Sequence, residues 1–149
     1  MSLQQKVMEK MKAAMKAKDT VALESLRAIK SAILLAQSEK VGTVLSEEEE
    51  VKLVQKLVKQ RRDSAAIYKE QGRDDLAGPE LSQAKVIEQF LPEQLSEEEI
   101  EKVVVQAIDA SGASGMKDMG KVMGIVTQEL AGQADGKTIS TIVRRKLAE

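Results

Sequence analysis

Residues 46–72 read SEEEEVKLVQKLVKQRRDSAAIYKEQG, and this stretch decides the fold class. Val51, Val54, Leu57, Val58, Ala65 and Tyr68 recur at steps of three, four and seven, the spacing that lines one face of an α-helix. Ser46 and Glu49 form a capping box: the hydroxyl accepts a free amide of the first turn, and the carboxylate reaches back to the cap. The acids Glu47, Glu48, Glu49 and Glu50 also complement the positive end of the helix dipole. Gly72 supplies the stop. The spacing predicts one long helix between these two signals.

The same periodicity extends in both directions. Upstream, Leu3, Val7, Met8, Met11 and Met15 fall on one helical face, with the methionines expected in the core. Asp19 or Thr20 caps a second helix whose buried stripe is Leu23, Leu26, Ile29, Ile33 and Leu34, until Gly42 interrupts the pattern. Downstream, Pro79 favours a first helical turn, so a fourth helix is predicted from Pro79 to Phe90, burying Leu81, Val86, Ile87, Phe90 and Leu91. Pro92 ends it. Ser96 and Glu99 repeat the capping device before a fifth helix through Ile100, Val103, Val104, Ala107 and Ile108. The Ser111–Gly115 ladder breaks that helix. A sixth is expected from Met119 to Leu130, closing at Gly132, and a seventh from Thr138 to Leu147.

Nothing alternates with period two over a useful length, so no sheet is predicted. The expected fold is all-α. An N-terminal helical hairpin or bundle spans residues 1–92, and a small three-helix domain spans residues 93–149. The joint is placed at Leu91–Ser96, with Leu91 and Leu95 packing on each other around Pro92.

With 42% hydrophobic and 32% charged residues in 149, the chain reads as a globular protein. No apolar run approaches the ~20 residues of a membrane span. The start lacks a signal-peptide layout, so no membrane partner and a cytoplasmic location are expected. Cysteine and histidine are both absent. That excludes thiolate nucleophiles, Ser-His-Asp and Cys-His catalysis, and leaves zinc without its usual ligands. The acid runs at Glu47–Glu50 and Glu97–Glu99 point around a helix instead of converging, so they read as caps. No catalytic residue, metal or cofactor is therefore expected.

Tyr68 and Phe90 are the only aromatic residues, which disfavours recognition of single strands by base stacking. Net charge is −1, so any affinity for nucleic acid must come from a local patch. From Lys102 onward, Lys102, Lys117, Lys121, Lys137, Arg144, Arg145 and Lys146 outnumber the acids Asp109, Asp118, Glu129, Asp135 and Glu149. Within that third, Gly120 and Gly124 stand four residues apart on one helix face, beside Lys117 and Lys121. Two readings follow: close helix–helix packing, or close approach of a phosphate backbone. Asp135-Gly136-Lys137 reads as a turn into the last helix, and alternatively as an amide-rich helix start offered to a phosphate. Arg144 and Arg145, with Lys146, suit either the negative end of the helix dipole or an RNA contact. For Lys59, Arg61 and Arg62 in the third helix, salt bridges to a neighbouring helix are the expected role.

Several pieces in order resemble the YqeY family, also called GatB/YqeY. They are Leu26-Arg27, the 59–64 run KQRRDS with Tyr68, and Gly72-Arg73-Asp74-Asp75-Leu76-Ala77. The 90–96 run FLPEQLS, the 119–124 run MGKVMG, and Ala134-Asp135-Gly136 with the terminal Val143–Leu147 run follow. Gly78-Pro79 departs from the polar helix-formers expected there, and Phe90 stands where tyrosine is frequent. The last third is also similar to the tail of GatB, a component of Glu/Asp-tRNA amidotransferase, where the tail is a small helical module that touches tRNA. The resemblance implies an all-α protein with a tRNA-directed module and without GatB's catalytic domain. On that reading Lys117, Gly120, Lys121, Gly124, Gly136, Lys137, Arg144 and Arg145 are the candidate tRNA-binding residues. The expected partners are tRNA, or a protein of aminoacyl-tRNA metabolism. Three functions stay open at this point: a non-catalytic tRNA-associated accessory module, a protein-interaction module without RNA affinity, and a component of a carbon–nitrogen ligase with glutamine as amido-N-donor.

Overall fold

The computed structural model describes residues 1–39 and 44–149; the expected break at Gly42 lies outside the described residues. Among the described residues the regular structure is helical and contains no strand, in line with the missing period-two pattern. The helices are α1 (Leu3–Ala17), α2 (Thr20–Glu39), α3 (Glu47–Glu70), α4 (Asp74–Glu88), α5 (Glu97–Ser111), α6 (Met119–Glu129) and α7 (Gly136–Leu147). A short 3₁₀ turn, Met116–Asp118, leads into α6. None of the described helices is long and apolar enough to cross a membrane. The chain forms two compact units, Met1–Leu91 and Pro92–Glu149.

In the first unit, α1 packs on α2, and α3 packs chiefly on α4. Leu3, Val7 and Ala14 of α1, Leu26, Ile29 and Ile33 of α2, Val54 and Val58 of α3, and Ala84 and Ile87 of α4 make one core. Burying a side chain such as Ile29 contributes about 1.5–3 kcal/mol. Ser25 is fully buried too, with its hydroxyl donating to the Val21 carbonyl at 2.8 Å, so no polar atom is stranded. A reciprocal capping box forms at Ser2 and Gln5, two residues to which the sequence pattern assigns no role. Ser46 accepts from the Glu49 amide at 3.1 Å, as expected of a cap. One turn later, the Glu50 carboxylate accepts the Leu3 amide at 2.8 Å and ties the start of α1 to α3.

Three sequence expectations fail here. α4 begins at Asp74 instead of Pro79, so the proline sits inside the helix. Asp74 and Asp75 favour the positive helix end, and Ala77, 1% exposed, packs before the proline is reached. Gly78 precedes the ring and has no side chain to clash with it. Second, Leu81 and Leu34 are exposed, because Ala65, Ala77 and Ala84 supply small inner surfaces to α3 and α4, while Ile29 and Ile33 fill the inner face of α2. Third, Met8 and Met15 point to solvent at 45% and 52% exposure, since Leu3, Val7 and Ala14 already occupy the inner face of α1.

In the second unit, α5, α6 and α7 all pack on one another. Their core is Ile100, Val104, Ala107, Val122, Val126, Leu130, Ala134, Ile139, Ile142, Val143 and Leu147. Ser96 caps α5, accepting from the Glu99 amide at 3.2 Å. Gly112, at φ 68°, ends α5 in the left-handed conformation that a side chain would strain. Leu91 packs against the first core and Leu95 against the second.

Candidate nucleic-acid interface

The outward face of α6 is set by its inward one. Val122 and Val126 are fully buried, and the helical repeat then turns Gly120, Lys121, Gly124 and Gln128 toward solvent. A Cβ built on Gly120 or Gly124 would meet no atom within 4 Å. Packing inside the unit therefore does not call for glycine at either position, and the helix–helix packing reading is corrected. Lys117, in the turn before α6, is exposed and joins no ion pair among the described residues. Lys121 donates from Nζ to the Ser111 carbonyl at 3.4 Å, beside the negative end of α5. Its side chain stays exposed all the same.

The start of α7 is a true cap. Asp135 Oδ1 accepts the Thr138 amide at 2.6 Å, so the protein's own carboxylate already holds one of the amides a phosphate would use. Gly136 has open space where a Cβ would stand, and Lys137 beside it is exposed. Lys137, Thr141 and Arg144 share the face of α7 opposite Ile139, Ile142 and Val143. Neither Lys137 nor Arg144 is ion-paired among the described residues.

Arg145 is differently placed. Its guanidinium bonds Glu101 of α5 at 3.2 Å, and Lys146 bonds the same carboxylate at 2.7 Å. Lys146 also reaches Glu149 at 3.4 Å. The Lys146 hydrogen bond and charge, with Arg145 adding its charge, hold the Glu101 carboxyl below the usual carboxylate range. Glu101 in turn raises Lys146 above the usual lysine value. Of the cations expected at the interface, Lys117, Lys137 and Arg144 are thus open to a ligand; Lys121 and Arg145 are shared with the protein. They lie along two helices, Lys117 and Lys121 with α6, and Lys137, Arg144 and Arg145 on α7. Sequence reasoning overlooked Gln128 and Thr141, exposed polar groups on those same faces. Thr141 stands four residues after Lys137 and Gln128 four after Gly124, and that spacing was the available signal.

Of the cations of α3, Arg62 has its ion-pair partner on a neighbouring helix as expected, Arg61 meets an amide there, and Lys59 has a partner within α3 itself. Arg62 pairs with Glu88 on α4, Arg61 donates to Gln83 at 3.1 Å, and Lys59 bonds Asp63 at 2.7 Å. Among the described residues no group of three or more acids is placed to hold a metal ion.

The fold and this surface define a class: a small all-helical protein whose second unit presents a basic, glycine-bearing face. Residues 4–147 match the model of the Yqey-like protein family, and the chain belongs to that family. It is 48% identical over 75 residues to the E subunit of glutamyl-tRNA(Gln) amidotransferase from Thermococcus gammatolerans, a match covering 48% of this chain and 12% of that protein. The corresponding protein of Thermococcus sibiricus is 30% identical over 121 residues, covering 78% of this chain and 19% of that protein. A fungal relative, Altered inheritance of mitochondria protein 41 of Pyrenophora tritici-repentis, is 29% identical over 141 residues, 93% of this chain and 75% of that protein. The chain thus spans under a fifth of the length of either amidotransferase relative.

Proposed function

We propose that this protein is a non-catalytic, cytoplasmic accessory module of aminoacyl-tRNA metabolism, working beside transamidation. Residues 93–149 serve as its tRNA-directed domain and residues 1–92 as its N-terminal helical domain. The contacts are Lys117, Lys121, Lys137, Arg144 and Arg145 to phosphates, with Gly120, Gly124 and Gly136 admitting the nucleic-acid backbone close to the helix. One observation carries the reading: Gly120 and Gly124 face solvent beside Lys121, with open space where each Cβ would stand. Glycine inside a helix costs stability, and nothing within the unit requires it here. The kinship with amidotransferase components named for glutamyl-tRNA(Gln) supports tRNA as the ligand. Because aromatics are scarce, recognition proceeds by shape and charge, and affinity is on the order of micromolar or weaker.

The test is a titration of folded tRNA against charge-reversal variants at low salt. Lys121→Glu with Lys137→Glu should weaken binding about tenfold or more and leave helicity intact, whereas Lys10→Glu with Lys12→Glu should change it little. Equal weakening by both pairs would reduce the contact to diffuse charge. Absence of binding by the wild type would hand the function to a protein partner.

A further inference from the structure

Helix α1 carries a face that neither the fold nor the tRNA reading uses. Met8 and Met15 lie seven residues apart, hence on one line along the helix, and both are about half exposed. Lys12 lies four residues beyond Met8 and Lys16 directly follows Met15, both on the solvent side. Residues 1–18 hold five lysines against the single acid Glu9, in a protein whose overall charge is −1. None of these lysines is ion-paired among the described residues, and the neighbouring Asp19 is committed to capping α2, accepting the Ala22 amide at 3.0 Å. An apolar line bordered along its solvent side by Lys12 and Lys16 is complementary to one kind of surface: aliphatic residues bordered by carboxylates.

We propose that the Met8–Met15 face of α1 docks an acidic amphipathic helix of a protein partner, with the partner's aliphatic side chains on the methionines and its carboxylates on Lys12 and Lys16. Methionine suits this role because its unbranched thioether adapts to varied apolar surfaces. The spacing suits a helix lying along α1, since positions seven apart form a continuous seam. A polynucleotide would leave the methionines unused. A lipid surface needs a broad apolar face, and the apolar face of α1, Leu3, Val7 and Ala14, is buried in the core.

The experiment uses the full chain and a fluorescent helical peptide of about three heptads, with leucine at positions a and d and glutamate and alanine elsewhere. Controls are the same peptide with lysine for glutamate, vesicles of phosphatidylglycerol and phosphatidylcholine, and folded tRNA. The acidic peptide should bind, the basic one should not, and Met8→Ser with Met15→Ser should weaken the complex about tenfold or more. Lys12→Glu with Lys16→Glu should reverse the peptide preference toward the basic one. All four substitutions are on exposed side chains, and circular dichroism checks that helicity is retained. Equal binding of both peptides, unchanged affinity in the methionine variant, or binding to vesicles or tRNA lost with the same methionines would overturn the proposal.

Discussion

Gly124 sits in the interior of α6 with no neighbour where its side chain would be. Glycine at such a site costs about 0.5–1 kcal/mol relative to alanine through the entropy of the unfolded chain. Gly124→Ala is therefore expected to stabilise the C-terminal unit by roughly that amount in a denaturant melt, and to weaken tRNA binding by holding the backbone away. A destabilised variant would mean that the glycine is required by the fold. The i, i+4 spacing of Gly120 and Gly124 was legible from the residues, as was the lysine between them. What the glycines faced was not, because the spacing alone fits a packed face and an open one equally. The buried stripe of Val122, Val126 and Leu130 contained the answer: it fixes the inward side and leaves the glycines outside.

At the scale of elements, the starts of α3 and α5 were legible from Ser46 and Ser96, each of which accepts an amide three residues on. α7 starts at Gly136, two residues before the expected Thr138, because Asp135 caps it and draws the expected turn into the helix. The start of α4 was not legible, because a proline preference for first turns is a local signal, and packing of Ala77 together with the two acids Asp74 and Asp75 outweighs it. Ties between helices distant in sequence were also out of reach, and Glu101 is the clearest of them. It links α5 to α7 through Lys146 and Arg145. Its depressed carboxyl contributes stability above the ordinary glutamate range, lost as pH falls through the lowered value. The raised Lys146 contributes below the ordinary lysine value, and that stability is lost as pH rises through the higher one. The tie thus operates fully between the ordinary glutamate and lysine ranges, about pH 5 to pH 10. Glu101→Gln should lower the unfolding midpoint modestly across that window, with the difference from wild type vanishing once pH has fallen through the lowered carboxyl value. Because Glu101 and Lys146 remain partly accessible, the tie should also weaken in salt of about 1 M. A difference that persists in acid would mean that the carboxamide disturbs packing and not charge.

Across the whole molecule, the all-α class and the family were readable from periodicity and from the ordered motifs, and residues 4–147 match the Yqey-like model. Function was less readable, because charge is distributed unevenly and only folding decides which cations remain available. Seven cations run from Lys102 to Lys146 by composition alone, yet Arg145 and Lys146 are held by Glu101. Lys117, Lys137 and Arg144 stay open to solvent. On the proposed function, tRNA is met by α6 and α7 and not by the N-terminal unit. Amide hydrogen exchange of the full chain, with and without folded tRNA at low salt, tests it most directly. Protection should appear over residues 117–124 and 136–145 and fade as salt rises, with α1–α4 unchanged. Protection confined to the N-terminal unit, or spread evenly over every lysine-bearing helix, would contradict the account.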